Sequence, residues 1–376
     1  MLYALQRYLK YFAVLGLVPW SERSSLQMLQ KIYTAAIIVI NIGVAFYIAV
    51  CSPPGGDLLV SLLVSCIVFI CQIVTMTGTF IFSPIVIELQ VMCQYDRYYE
   101  FCVQLKCLRR RFQCELLQLV EGLPWTRYIK YFFLGVLNVA SVLPGIFIIQ
   151  HYHYIGYFWY SLTAVIIIRF QCLLLLLYAE LLGYHVELLG LRLLDVHNSR
   201  QLGVHSVPVA KLSLEYLLSL KRAYMELYRL FEQYNALYGW SIVCIFVVMF
   251  LDSIINIYWA LLVLAKIYNF VFIYMMSSTF TPLLILLFTF CRCGEYCKRQ
   301  ARLLYHVRGL ACISQRQSEP SSQAYTAVLA EFAMQVEQDA LIISAEGFMN
   351  IDYSLLMSIF TAMVTYLIVL MQFGSL

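Results

Sequence analysis

The chain has 376 residues and a net charge of +4, with 62% hydrophobic residues against 12% charged and a mean hydropathy of +0.79. That leaves too little polar side chain to cover a soluble surface, which excludes an ordinary globular enzyme and points to the membrane. The basic excess needs no nucleic acid, because an inner surface facing anionic membrane lipid accounts for it.

Residues 1 to 20 carry Arg7 and Lys10 among aromatics and lack a small-residue cleavage site, so they do not read as a secretory signal. Within them Leu2 to Leu17 has apolar residues at helical spacing and is expected to lie flat at the inner interface as a short amphipathic helix. A membrane-crossing helix needs roughly 20 apolar residues. Seven windows meet that length: Ile32 to Val50, Leu58 to Phe82, Tyr131 to Ile149, Tyr157 to Leu177, Ser241 to Leu262, Phe270 to Phe290 and Tyr353 to Phe373. The fold class expected is therefore an all-α membrane protein with seven transmembrane helices.

Connections after the first, third and fifth spans are each about seven residues, whereas those after the second, fourth and sixth run to about 48, 63 and 62. Arg7, Lys10, Arg23 and Lys31 precede the first span, and the long connections hold most of the rest, so that 23 of the 25 Lys and Arg residues lie on one side. Only Arg169 and Lys266 fall elsewhere. Because Lys and Arg are retained inside, the N-terminus and long connections are expected in the cytoplasm, and an odd number of spans puts the C-terminus outside.

The long connections themselves read as helical. Lys211 to Tyr238 spaces Leu214, Leu217, Leu218, Met225, Tyr228 and Phe231 by threes and fours. Gln315 to Gln323 looks like an exposed connector around Pro320, and Ala324 to Ile343 like an amphipathic helix that enters the last span through Gly347. These segments predict a helical cytoplasmic anchor region. The expected division is 1–290 for the N-terminal interfacial helix and first six spans, 291–352 for the connector and anchor helix, and 353–376 for the last helix. Of thirteen cysteines only Cys51 falls near the oxidising face, so no disulfide framework is expected. Cys291, Cys293 and Cys297 match no zinc spacing, and acylation is the other use weighed for them. No metal or cofactor is expected.

The last span concentrates its polar residues. Ser354, Ser358, Thr361, Thr365, Ile368 and Gln372 follow one another at intervals of four and three, so hydroxyl and amide groups occupy one stripe of an otherwise apolar helix. Such a stripe either glues membrane helices together or lines a wet path along a parallel bundle. The run Gly347-Phe348-Met349-Asn350-Ile351-Asp352-Tyr353-Ser354-Leu355-Leu356, followed by Thr365-Tyr366 and Gln372-Phe373, resembles the C-terminal region of insect gustatory receptors, relatives of insect odorant receptors. The resemblance is motif-specific over roughly the last 30 residues and architectural elsewhere.

That resemblance implies a tetrameric ligand-gated cation channel in the plasma membrane of a sensory neuron dendrite. It implies that the seventh helix of each subunit lines one central pore. Gln372 and Phe373 would form its constriction, Ile368, Thr365, Thr361 and Ser358 its lining, and Tyr366 would pack the helix in place. A ring of neutral amides and aromatics can close by dewetting. Cation preference would then rest on Asp352 at the inner mouth and the Leu376 carboxylate at the outer one, with weak selection among monovalent and divalent cations. Partners implied are a small-molecule tastant, membrane lipid, and either identical subunits or sister gustatory receptors. Leu367 stands where sugar-sensing members usually carry an acid, which favours a bitter or other non-sugar contact chemical.

The remaining spans hold two charges at mid-membrane depth, Arg169 and Asp252, and each implies a partner or a function. They form either a structural ion pair or the floor of a polar pocket. Tyr157, Trp159, Tyr160, Trp259 and Tyr274, with Asn256 and Gln72, would then line an outward-facing ligand pocket, although such aromatics also make interfacial belts. A seven-helix G-protein-coupled receptor and a secondary transporter are the alternative readings. Asp96-Arg97-Tyr98 spells a motif of G-protein-coupled receptors, but it follows the second span, not the third. A secondary transporter would show paired helices broken at symmetric positions, whereas here Pro144 and Pro282 interrupt without repeat symmetry.

Overall fold

The structure, a computed structural model, describes residues 12–15, 17–18, 24–51, 80–114, 125–141, 143, 157–202, 214–264, 271–303, 307 and 322–374. Among these the chain forms α1 (Ser24–Cys51), α2 (Phe80–Cys93), α3 (Tyr95–Cys114), α4 (Trp125–Ala140), α5 (Tyr157–Leu202), α6 (Leu214–Leu264) and α7 (Val271–Leu303). After these come α8 (Ser322–Gln338), a hairpin of β1 (Ser344–Ala345) and β2 (Met349–Asn350), and α9 (Tyr353–Gly374).

The long connections are built as extensions of the apolar helices. α5 and α6 run 46 and 51 residues, so the helix expected over Lys211 to Tyr238 is, from Leu214 on, the first half of α6, an extension of the apolar span. α7 likewise continues past position 290 and carries Pro282 within it. By length and composition, Ile166–Val196, Leu214–Ile254 and Phe280–Arg299 can each cross a membrane, and Met28–Ile40, Ile129–Ala140 and Tyr353–Val369 are shorter apolar helices. The second expected span lies almost wholly outside the described residues, as does the end of the third.

α5, α6 and α7 pack on one another, with α3 and α2 against α6 and α4 against α5. The centre is aromatic. Tyr98 of α3, Tyr178 of α5 and Tyr234 and Tyr238 of α6 are all buried. The Tyr98 and Tyr178 hydroxyls share a hydrogen bond, Tyr178 stacks on Tyr238 at 6.1 Å, and Tyr234 donates to the Leu175 carbonyl at 3.0 Å. Asp96-Arg97-Tyr98 is thereby split: the two charges are exposed and the tyrosine is core. Ion pairs such as Lys221–Glu331 at 2.6 Å tie the rim. Exposed pairs contribute about 0–1 kcal/mol each, whereas a buried Phe such as Phe101, Phe231 or Phe332 contributes about 1.5–3 kcal/mol. Packing therefore dominates.

The described residues before α1 pack against protein, and one expectation, the end of the helix after α7, is corrected. Phe12, Leu17 and Val18 are buried, and Phe12 meets Phe170 of α5 edge to face at 6.0 Å. Gln30 and Tyr33 of α1 clip the segment by donating to the Val18 and Val14 carbonyls at 2.8 and 2.6 Å. The rest of the stretch expected at the inner interface, residues 2–11 and 16, is outside the described set. The helix expected to reach Ile343 stops at Gln338. Asn235 of α6 donates to the Ile342 carbonyl and accepts from the Ser344 amide, both at 3.0 Å, which holds this stretch extended. Glu346 (φ 49°) and Gly347 (φ 73°) then turn the chain, and Phe348 N–H closes on the Ala345 carbonyl at 2.9 Å. Two successive positive φ values, the second at a glycine, thus close a three-residue hairpin loop between Ala345 and Met349. Cys291, Cys293 and Cys297 are buried among α5 and α7, so they pack the core and are not placed for acylation.

Candidate functional site

α9 is mounted at its first turn by Asp352. One carboxylate oxygen accepts the Leu355 N–H at 3.1 Å, the N-cap geometry that satisfies an orphan donor of the helix. The other accepts from Lys298 of α7 at 2.8 Å. Burial opposes ionisation of this carboxyl, but the Lys298 ammonium and the helix amides outweigh it and hold Asp352 below the usual carboxylate range.

From there α9 buries one face. Leu356 and Met363 are buried, Tyr353 stacks on Phe288 of α7 at 6.3 Å, and Tyr366 meets Phe250 of α6 edge to face at 5.9 Å. Tyr366 thus packs the helix through its ring although 56% of it stays exposed. The opposite stripe is open: Ser354, Ser358, Thr361, Thr365, Ile368 and Gln372 are all exposed. Ser358, Thr361 and Thr365 donate to the carbonyls of Ser354, Met357 and Thr361 at 3.0, 2.9 and 2.9 Å. Bonds back to the helix's own previous turn satisfy these hydroxyl protons. Among the described residues, then, these three hydroxyls bond within α9 and not to another helix. Phe373 continues the helix, and its side chain is outside the described set.

The second cluster surrounds Arg169, which is 2% exposed. Its guanidinium donates to the Asn138 carbonyl at 3.0 Å and to Ser141 Oγ at 2.7 Å. Ser141 Oγ in turn donates to the Asn138 carbonyl at 3.0 Å. The last carbonyls of a helix lack partners within it, and Arg169 supplies one where α4 ends. Asp252 of α6 lies within electrostatic reach of Arg169, and Asn256, one turn on, donates to the Asp252 carbonyl at 2.7 Å. Arg169, Asp252 and Asn256 are thus brought together. Tyr157, Trp159 and Tyr160 begin α5, Trp259 is on α6 and Tyr274 on α7, with their side chains outside the described set; Gln72 is outside it altogether.

Sequence reasoning missed Asn138, Ser141, Lys298 and Gly294. The signal for the first two was Pro144, since the residue before a proline disfavours helix, so a helix ends ahead of it and its last carbonyls need donors from elsewhere. Nothing in the sequence pairs Lys298 with Asp352, because helix packing alone brings them together.

Long apolar helices that continue into a charged bundle, three of them long and apolar enough among the described residues to cross a membrane, define a polytopic helical membrane protein. The chain superposes on olfactory receptor OR5 of Machilis hrabei with a TM-score of 0.69 over 98% of each chain at 14% identity. Against the same receptor in complex with eugenol the TM-score is 0.61 at 13% identity, again over 98% of each. The protein belongs to the 7tm chemosensory receptor family, whose model matches residues 5–376. It is 45% identical over 381 residues to the Drosophila melanogaster protein named as gustatory receptor 39b, covering all of both chains. It is 28% identical over 163 residues to gustatory receptor 23a of the same fly, covering 41% of this chain and 40% of that one. These are receptors, not enzymes.

Proposed function

We propose that the protein is a gustatory receptor that works as a ligand-gated, non-selective cation channel, opened by a bitter or other non-sugar contact chemical. Seven spans, with the N-terminus cytoplasmic and the C-terminus extracellular, place four copies of α9 around a common axis. The copies are identical subunits or sister gustatory receptors in the plasma membrane of a sensory dendrite. Gln372 and Phe373 narrow the path, and Ile368, Thr365, Thr361 and Ser358 line it.

The observation that carries this reading is the open hydroxyl stripe of α9. Its hydroxyl oxygens keep lone pairs that only water or a polar partner can use, and a lipid-facing position offers neither. Facing a shared axis hydrates them while Leu356 and Met363 stay packed inward. Tastant binding is assigned to the bundle around Arg169, Asp252 and Asn256, with Tyr157, Trp159, Tyr160, Trp259, Tyr274 and Gln72 above them. A receptor of the same fold was solved with eugenol, which supports a small-molecule site.

The test is planar-bilayer recording from the purified chain against a panel of tastants. Unitary cation currents that change in conductance or gating in Gln372→Ala support the reading. Chloride-selective current, or solute uptake without unitary steps, refutes it.

A further inference from the structure

The segment that joins α8 to α9 is fastened to two different helices. On α6, Asn235 holds both Ile342 and Ser344, Gly239 leaves the room that Glu346 occupies, and Trp240 meets Phe348 edge to face at 6.2 Å. On α7, Gly294 lets the Ile351 carbonyl lie directly on the helix, where any Cβ would collide with it. One turn further along α7, Lys298 takes Asp352, the residue that caps α9. A single carboxylate thus joins a cation of α7 to an amide of α9, next to a backbone contact that tolerates only glycine.

We propose that Gly294, Lys298 and Asp352 form a transmission joint that sets the tilt of α9 from the position of α7. Its role in gating rests on the channel reading of α9. The reason is mechanical. α9 has 22 residues, about 33 Å of stiff rod, so a turn of about 10° at its base moves its far end by about 6 Å. Among the described elements α9 packs chiefly on α6 and α7, so its base sets where its open stripe points. Stability alone does not account for the pair: the Lys298 side chain is 40% exposed, and such pairs add little to folding. Their geometric value lies in linking two helices that belong to different parts of the proposed machine. These three are positioning residues and touch neither tastant nor ion.

The experiment places a cysteine at Thr365, roughly 20 Å along the helix from Asp352, in the wild-type background and in Lys298→Gln, Lys298→Arg and Gly294→Ala. Its rate of modification by a water-soluble methanethiosulfonate is read by mass spectrometry on the α9 peptide, which contains no native cysteine. Basal unitary current is recorded in parallel without any tastant. Lys298→Gln and Gly294→Ala should each change the rate by about fivefold or more, as a shift between helix orientations requires, while Lys298→Arg keeps it. A pair that acted only on local stability would leave position 365 unmoved. If one variant does not fold, the other still reads the joint. Unchanged rates in the folded variants overturn the joint, and wild-type current alongside them leaves the channel reading intact. Changed rates in a protein that passes no current uphold the joint and refute the channel.

Discussion

At Arg169 the membrane interior accepts a guanidinium that is hydrogen-bonded through Nη1 and faced by a carboxylate, and a buried charge is tolerated when it is hydrogen-bonded and balanced. Asn138, Ser141 and the charge of Asp252 supply those terms. Arg169→Met takes one of two donors from the Asn138 carbonyl and removes the opposite charge acting on Asp252, at a cost on the order of 3–5 kcal/mol by analogy with broken buried pairs. The folded fraction in fluorescence-detected size exclusion should fall sharply, and Arg169→Met combined with Asp252→Leu should recover part of it. An undiminished single variant would show that the cluster is not structural. Asp352 acts at the other end of the molecule. Its carboxyl is held below the usual range, so its contribution is present above the unfolded carboxylate pKa, about 3.9, and is lost only as pH falls through the lower folded value. Asp352→Ala should cost about 1 kcal/mol of stability at neutral pH, the usual loss of an N-cap. The gap in melting temperature from wild type should close at pH values below the folded pKa, and a gap that persists there would contradict the assignment.

At the scale of elements, α9 shows what periodicity can and cannot deliver. The stripe from Ser354 to Gln372 was legible because polar residues at intervals of four and three define one face whatever surrounds the helix. Whether that face was glue or lining was not legible, since both uses need the same residue types. Its orientation follows from Tyr353, Leu356, Met363 and Tyr366 taking the inward side. Because the hydroxyls bond back to their own helix, Thr361→Val with Thr365→Val should leave stability within about 0.5 kcal/mol while lowering unitary conductance. Loss of folded protein with unaltered current in what remains would assign the stripe to packing instead. The end of α8 was illegible for a different reason. Ala324 to Ile343 keeps a helical pattern, but Asn235, more than a hundred positions away in sequence, captures the backbone at Ile342 and Ser344. Local propensity yields to such a tertiary partner.

At the scale of the molecule, one subunit leaves an apolar helix with Met357, Val364, Val369 and Met371 exposed beside its hydroxyl stripe. In the proposed channel, closed rotational symmetry brings this helix against its copies. Purified in detergent, the chain should run by light scattering at about four times its 43.5 kDa mass; a protein mass equal to one subunit would refute self-assembly and direct attention to sister receptors. The same scale explains why the long connections are not separate domains. α5, α6 and α7 carry their apolar faces straight from the spans into the charged bundle, so the core around Tyr98, Tyr178 and Tyr238 is continuous with the membrane helices.

By itself the sequence determined the membrane class, the helical long connections, the polar stripe and the family motif, because composition, period and spacing are properties of the chain alone. Tertiary structure decided the rest: that Phe12, Leu17 and Val18 pack against protein, that Arg169 caps α4 while facing Asp252, that a hairpin precedes α9, and that Lys298 takes Asp352. Each depends on which helices become neighbours, and that choice is made by the summed burial of many side chains, which no local pattern in the chain records.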